Sequence, residues 1–221
     1  QQRNVLQQPL VERIATMAGV ERVSFAGDAL LSEDADDAIT IPGRPADTLP
    51  SGHLTEAHGS PGYFETLRIP LRRGRLLTYA DTRAKVHALY TSPNRALSLV
   101  EQARSAPAEP VVVNEAFVKR FFPEEDPVGK RFCIDPTNKV YWYEIVGVVG
   151  HTRRAGLERQ TIPEYFGPLI LFQTAGLLVR TRAGSNPLDI APTVRQLVTS
   201  SVPGIIVLGI TTLDRRMGEL T

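Results

Sequence analysis

Residues 60–75 read SPGYFETLRIPLRRGR, and residues 110–132 read PVVVNEAFVKRFFPEEDPVGKRF, followed by YEIVGVVG at 143–150. In both phrases Gly, Pro and aromatic residues sit between short apolar runs. Gly supplies backbone conformations that other residues reach only at a cost, and Pro fixes its own φ. Such stretches specify tight turns and close packing. Neither has the layout of a catalytic motif.

Working outward, Pro61–Leu67 is expected to form a short helix with Ser60 as N-cap and Pro61 at the first helical position. Ile69–Leu71 enters a strand or turn, Arg72–Arg75 is an exposed turn, and Thr78–Asp81 is a polar corner. Val111–Val113 is a buried strand, and Asn114 caps a helix with Ala116, Phe117, Phe121 and Phe122 on its apolar side, stopped by Pro123. Asp126–Gly129 is a turn, and Lys130–Ile134 with Trp142–Val149 forms a hairpin around Asp135–Asn138. Between the phrases, residues 83–108 carry a helix start at Ser92-Pro93, a weak apolar face (Ala96, Leu97, Val100, Ala103, Arg104) and an Ala/Pro-rich end.

The two ends of the chain echo each other. Val5, Leu6, Leu10, Ile14 and Met17 have helical spacing, Ala18-Gly19 ends that helix, and Val20–Ala26 alternates as a strand. Leu177–Thr181 is a strand, Asn186-Pro187 starts a helix, Ile205–Ile210 is a strand, and Asp214 caps a last helix. The pattern is that of two βαβ halves in one sheet, the first of which requires a strand upstream of residue 1. Residues 27–59 are loop with short strands at Ile39–Ile41 and His53–Ala57. Glu164–Phe172 is strand-like after the basic loop His151–Arg159.

Composition narrows the function classes. The chain has 221 residues, 25 Lys+Arg against 24 Asp+Glu, one cysteine and four histidines. Near-balanced charge argues against a nucleic-acid binder. Cys133 alone cannot form a disulfide within the chain, and its place in a strand reads as an inert buried thiol. No apolar run approaches the ~18 residues that span a bilayer. The polar start QQRNV without an initiating Met reads as a domain cut from a longer protein or as a mature product whose targeting segment is gone.

Each catalytic reading fails on a particular residue. His58-Gly59-Ser60-Pro61-Gly62 has His where a nucleophile elbow needs its first Gly. Gly129-Lys130 lacks the upstream Gly and following Ser/Thr of a P-loop, and Gly147–Gly150 opens no helix. His53, His58, His87 and His151 form no pair at helical metal-ligand spacing. Glu33, Asp34, Asp36 and Asp37 lack the alternating layout and closing Glu of a calcium loop. The basic cluster Arg68, Arg72, Arg73 and Arg75, with Arg153 and Arg154, reads as surface charge. No catalytic, cofactor-binding or metal-binding residue is expected.

The two phrases resemble the periplasmic core domain of MacB-type ABC transporter permeases, most closely the duplicated permeases abundant in acidobacteria. That family carries segments of the type SPGYFETLGIPLLRGR with a following DT (here Asp81-Thr82), VVVNEAFARRFFPGEDPIGKRF, YEIVGVVGDVR and PEVYFPY, which fall in order at 60–75, 111–132, 143–153 and 163–168. The motif positions carried over are Pro61, Gly62, Tyr63, Phe64, Gly74, Arg75, Asp81, Asn114, Phe121, Asp126, Pro127, Gly129, Gly147 and Gly150, all structural. The departures are Arg68 for Gly, His151 for Asp, Ala18 for Pro, and the long 83–108 segment.

The resemblance implies an α+β fold. A split βαβ porter-like subdomain (1–58 plus 156–221) would carry an inserted β-rich, sabre-like subdomain (59–155). It also implies a non-enzymatic part of an inner-membrane permease, on the periplasmic side between two transmembrane helices, coupling cytoplasmic ATP hydrolysis to periplasmic shape change for export or mechanotransmission. The implied partners are its own transmembrane segments, a cytoplasmic ATPase domain or subunit, a second permease copy or homodimer partner, and a periplasmic adaptor. The alternatives are a periplasmic adaptor or binding module that regulates a cell-envelope partner, and a small hydrolase.

Overall fold

The structure is a computed structural model and describes residues 7–27, 39–45, 49–50, 54–91, 107–134, 142–152, 161–170, 175–201 and 204–218. Among these are six helices and eight strands. The helices are α1 (Gln7–Ala15), α2 (Tyr63–Leu67), α3 (Tyr79–Thr91), α4 (Glu115–Phe121), α5 (Ala191–Ser201) and α6 (Leu213–Gly218). The strands are β1 (Val20–Ala26), β2 (Thr55–Gly59), β3 (Leu71–Gly74), β4 (Glu109–Asn114), β5 (Arg131–Cys133), β6 (Trp142–Val149), β7 (Glu164–Pro168) and β8 (Gly176–Thr181).

All eight strands belong to one mixed sheet in the order β3-β6-β4-β7-β2-β1-β8, with β5 on the free flank of β6. The strands of the two central phrases occupy one end. β4 runs parallel to β6, and β3 and β5 pair antiparallel to it. At the other end β2 lies parallel to β7, and β1 lies antiparallel to β8. The antiparallel contact of β4 with β7 joins the ends through Val112↔Phe166 and Val113↔Tyr165.

Three apolar clusters follow from this order. Alternation of side chains across β4 sends Val111 and Val113 to one face, where they meet Phe117, Phe121 and Phe122 of the α4 region together with Phe132, Ile145 and Tyr165. Val112 faces the other way, toward Tyr63, Phe64 and Phe166. At the far end Leu10 and Ile14 of α1 and Val194 and Val198 of α5 cover Val23 and Phe25 of β1. These side chains recur at helical spacing, so two amphipathic helices roof one sheet face.

Several sequence expectations are corrected. Gly62, not Ser60, is the N-cap of α2, and Pro61 lies outside the helix. The Ser60 hydroxyl is engaged elsewhere: it accepts from Phe25 N at 2.8 Å and donates to Pro61 O at 3.1 Å. Arg72–Gly74 is a strand, because β6 offers it a partner edge. The polar corner at Thr78 opens α3, a helix not anticipated there. Thr78 Oγ1 lies 3.3 Å from Asp81 N, and the Asp81 carboxylate accepts from Thr78 N at 2.8 Å, a reciprocal capping box.

Asn186 makes an Asx turn with Leu188 N at 3.1 Å, so α5 begins only at Ala191. Thr212 Oγ1 accepts from Arg215 N at 3.2 Å and caps α6, while Asp214 lies inside the helix. Ile205–Ile210 is not a strand, since no strand among the described residues lies beside it to complete a ladder. The helix start at Ser92-Pro93, the Asp135–Asn138 turn, the acidic run Glu33–Asp37, His53, Arg153 and Arg154 lie outside the described residues.

Candidate functional site

The motif positions gather at three places. The first is the entry to α2. Ser60 N donates to Phe25 O at 2.9 Å, which fixes the phrase against β1. Gly62 holds φ 87 beside β1, where an added Cβ would lie 3.3 Å from Val23 O. With the chain so turned, Tyr63 and Phe64 meet edge to face at 5.2 Å, and Phe64 meets Phe166 at 5.0 Å. Pro61 precedes the turn and is half-buried.

The second is the crossing of β3 and β6. Gly74 and Gly147 are direct partners. A Cβ on Gly74 would stand 2.3 Å from Val146 O, and one on Gly147 would stand 2.1 Å from Arg75 O. The two backbones are therefore closer than any side chain permits. Arg75 turns from this crossing to Asp81 with Nη1 at 2.7 Å and Nη2 at 3.0 Å, a two-pronged pairing with the capping box of α3. Burial pushes the Asp81 carboxyl up, but the bonds from Arg75 and Thr78 outweigh it, and the group ionises below its ordinary range. Gly150 N donates to Pro70 O at 2.9 Å and closes the same corner.

The third centre is Asn114, fully buried at the junction of β4 and α4. Its Oδ1 accepts from Phe117 N at 2.8 Å, the expected helix cap, and also from Glu164 N at 3.2 Å. Its Nδ2 faces Thr152 Oγ1 at 3.1 Å, Ile162 O at 2.8 Å and Glu164 Oε2 at 3.3 Å. One amide thus ties β4, α4, β7 and the segment after β6 together. Phe121 completes the helix face, its ring 4.8 Å from that of Phe117. Beyond α4, Val128 N donates to Asp126 Oδ1 at 3.2 Å, Lys130 N to Pro127 O at 3.0 Å, and Gly129 N to Ile145 O at 2.7 Å. Asp126, Pro127 and Gly129 therefore form a turn sewn to β6.

A polar cluster that the motifs did not mark lies on the α4 side of the sheet. Strand pairing puts Glu56 beside Tyr165 and His58 beside Gly167. His58 Nε2 stands 3.5 Å from Glu56 Oε1. The Tyr143 and Tyr165 hydroxyls are hydrogen-bonded to each other, and Tyr165 also bonds Glu56. Burial, then the Glu56 charge, pushes both phenols well above their ordinary value. Glu109 pairs with Lys85 of α3 at 2.6 Å; burial raises its carboxyl and Lys85 opposes the rise. A Cβ at position 167 would sit 2.6 Å from the Glu109 carboxylate, so the glycine makes room for it. The sequence reads Glu56 and His58 as solvated loop residues that could meet; the pair does meet, but on strand β2, whose alternation sets both on one face, and their inter-strand partners were not legible there.

These groups are mutually satisfied and present no nucleophile backed by a base. Among the described residues no group of three His, Cys, Asp or Glu side chains could hold a metal ion. Nor is any helix among them long and apolar enough to cross a membrane. Cys133 is buried in β5.

No protein-family model matches the chain, and no curated protein matches it. Among solved structures, the periplasmic region of MacB from Actinobacillus actinomycetemcomitans is similar at 17% identity and TM-score 0.49, over 88% of this chain and 73% of that one. The extracellular domain of the noncanonic ABC-type transporter YknZ from Gram-positive bacteria is similar at 12% identity and TM-score 0.47, over 88% of this chain and 82% of that one. A domain of a permease-like protein from Porphyromonas gingivalis is similar at 11% identity and TM-score 0.51, over 95% of this chain and 87% of that one. This last likeness carries the fold: the chain has the mixed α+β architecture of that permease domain.

Proposed function

We propose that the chain is the extracytoplasmic domain of a MacB-type ABC transporter permease and that it works by shape change rather than by chemistry. The likeness in fold to a permease domain over 95% of the chain is the observation that carries this reading. The ordered motif phrases at 60–75, 111–132 and 143–153 support it independently. On this reading ATP is hydrolysed by a cytoplasmic ATPase domain or subunit, transmembrane helices flank the domain, and motion passes outward to a second permease copy, with a periplasmic adaptor as a further contact. Residues 1–58 with 156–221 form the porter-like part and 59–155 the inserted part, which agrees with the grouping of β3 to β6 at one end of the sheet.

Such a role calls for a body that moves as a unit. The Asn114 node and the Gly74–Gly147 crossing tie elements distant in sequence, and the Arg75–Asp81 clamp fixes the start of α3 beside that crossing. The gene provides the test: apolar helices of about 20 residues are expected on both sides of the domain, with an ATPase in the same gene or beside it. An open reading frame without flanking apolar helices sinks the reading, as does clear binding of ATP to the isolated domain by calorimetry.

A further inference from the structure

We infer, independently of the permease reading, that α3 is a releasable strap: hinged at its capping box, it is latched by the Lys85–Glu109 ion pair and comes away from β7 without opening the sheet.

The side of α3 that docks is polar. A surface helix ordinarily turns an apolar stripe inward at spacings of three and four residues. In α3 that stripe is Asp81, Thr82 and Lys85, all buried or half-buried, while Ala80 and Ala84 are exposed. Among the described side chains of the helix, Tyr79 and Val86 add apolar surface to the docked side, and both are only half-buried. α3 lies against β7, so little apolar burial holds it there.

Docking also carries polar costs. The Tyr79 hydroxyl and Thr82 Oγ1 are buried, and neither has a hydrogen-bond partner. Both have given up water without a replacement. Burial, then the Glu12 charge, pushes the Tyr79 phenol up to about 12. Burial likewise raises the Glu109 carboxyl, and Lys85 offsets only part of the rise.

The latch itself is well built. Gly167 of β7 leaves the space that the Glu109 carboxylate fills, since a Cβ there would stand 2.6 Å from Glu109 Oε1. Lys85 Nζ meets the same oxygen at 2.6 Å, and the two side chains are only 19% and 22% exposed. Breaking such a pair by removing one partner is far more damaging than replacing both, because a lone buried charge is left behind.

The hinge is the opposite end of the helix. Arg75 holds Asp81 at 2.7 and 3.0 Å beside the Gly74–Gly147 crossing. Release at Lys85 leaves that grip in place, so the helix swings from Thr78. A helix of 13 residues is marginal without tertiary support, so the released strap also unwinds. The strands beneath keep their own ladders, β4 with β6 and β7, and β2 with β7. Opening bares the Glu109 carboxylate at the start of β4, close to the His58 ring that also borders Gly167. The domain thereby has one element that moves while the sheet stays whole.

The test follows amide hydrogen exchange in the 221-residue chain, in peptides covering 83–91, β4 and β6. Residues 83–91 are expected to exchange about tenfold or more faster than either strand. Lys85→Met is expected to speed exchange across 83–91 by a further factor of about ten, since it strands the Glu109 charge. Adding Glu109→Gln to Lys85→Met should bring 83–91 back to within about threefold of the parent chain. Unchanged β4 and β6 in both variants show that the sheet is folded. Protection of 83–91 equal to that of β4 in the parent chain overturns the inference. So does a Lys85→Met effect that is absent, that is confined to the last turn as end fraying, or that reaches β4 and β6 equally. Failure of the double variant to restore protection would make Lys85 a packing residue instead of a latch, and the strap would fall with it.

Discussion

The two edges of the sheet are built to opposite rules. At one edge β3 is four residues, LRRG, every one exposed. Its Arg72 and Arg73 meet Glu115 at 3.3 Å and Asp126 at 3.9 Å, and its last residue is clamped by glycine on glycine. At the other edge β8 is longer, with six residues, and mostly apolar. Charge and shortness deter pairing, while length and apolar flanks invite it. A finished edge, which a rigid body needs, thus stands opposite one that carries no such guard among the described residues.

The sharpest way to break the finished edge is Gly147→Ala. The added methyl would stand 2.1 Å from Arg75 O, a clash with backbone rather than with a pliable side chain. Overpacking against backbone forces strands apart, and a loss of about 3–5 kcal/mol is expected in urea unfolding. A loss below about 1 kcal/mol would mean that β3 and β6 are not locked. Asn114→Ala comes next. It leaves Glu164 and the N-terminal amides of α4 short of a partner, and about 2–4 kcal/mol is expected. Asn114→Asp should be worse, since it sets a second carboxylate near Glu164 Oε2, at 3.3 Å from the present amide nitrogen. Equal stability of Asn114→Ala and the parent chain would remove Asn114 as the joint of the sheet.

Asp81 gives a smaller effect with a pH signature. Its carboxyl ionises below its ordinary range in the folded chain. The stability it adds is therefore fully present above the unfolded value of about 4 and fades as pH falls through the folded value. Asp81→Asn is expected to cost about 1 kcal/mol at neutral pH, through the weakened cap and the lost Arg75 pairing. The difference from the parent chain should vanish toward about pH 2–3. A difference that persists in acid would point to packing instead of charge.

What the sequence made legible divides along the same line. Much of the finished end was readable because its determinants are local: Asn114 as a cap, Phe117 and Phe121 on one helix face, Asp126–Gly129 as a turn; β3 itself reads as a turn because only the β6 edge makes it a strand. α3 was missed although its capping box, Thr78 to Asp81, lay in view, because YADTRAKVHALYT has no regular apolar spacing to mark a helix. Ile205–Ile210 was misread for the opposite reason. Its residues favour a strand, but a strand exists only with a neighbour, and none of the described residues provides one. The Glu56, Tyr165 and Tyr143 contacts depend on which strands become neighbours, and spacing along the chain does not encode that.

Two small predictions probe the unfinished end. Arg68 sits at φ 58, the left-handed C-cap of α2, where the resembling family carries Gly. Its ion pair with Glu21 at 3.3 Å is exposed and contributes little. Arg68→Gly is therefore expected to stabilise the chain by about 0.5–1 kcal/mol, readable as a higher urea midpoint. A destabilised variant would show that the Glu21 pair outweighs the backbone strain.

The smallest effect belongs to Leu208→Ser. At 86% exposure this side chain has almost no apolar area to lose on unfolding, so the 221-residue chain should change by less than about 0.5 kcal/mol. A cost of about 2 kcal/mol or more would mean that a second copy covers Leu208, and the contrast between the two edges would then describe a dimer.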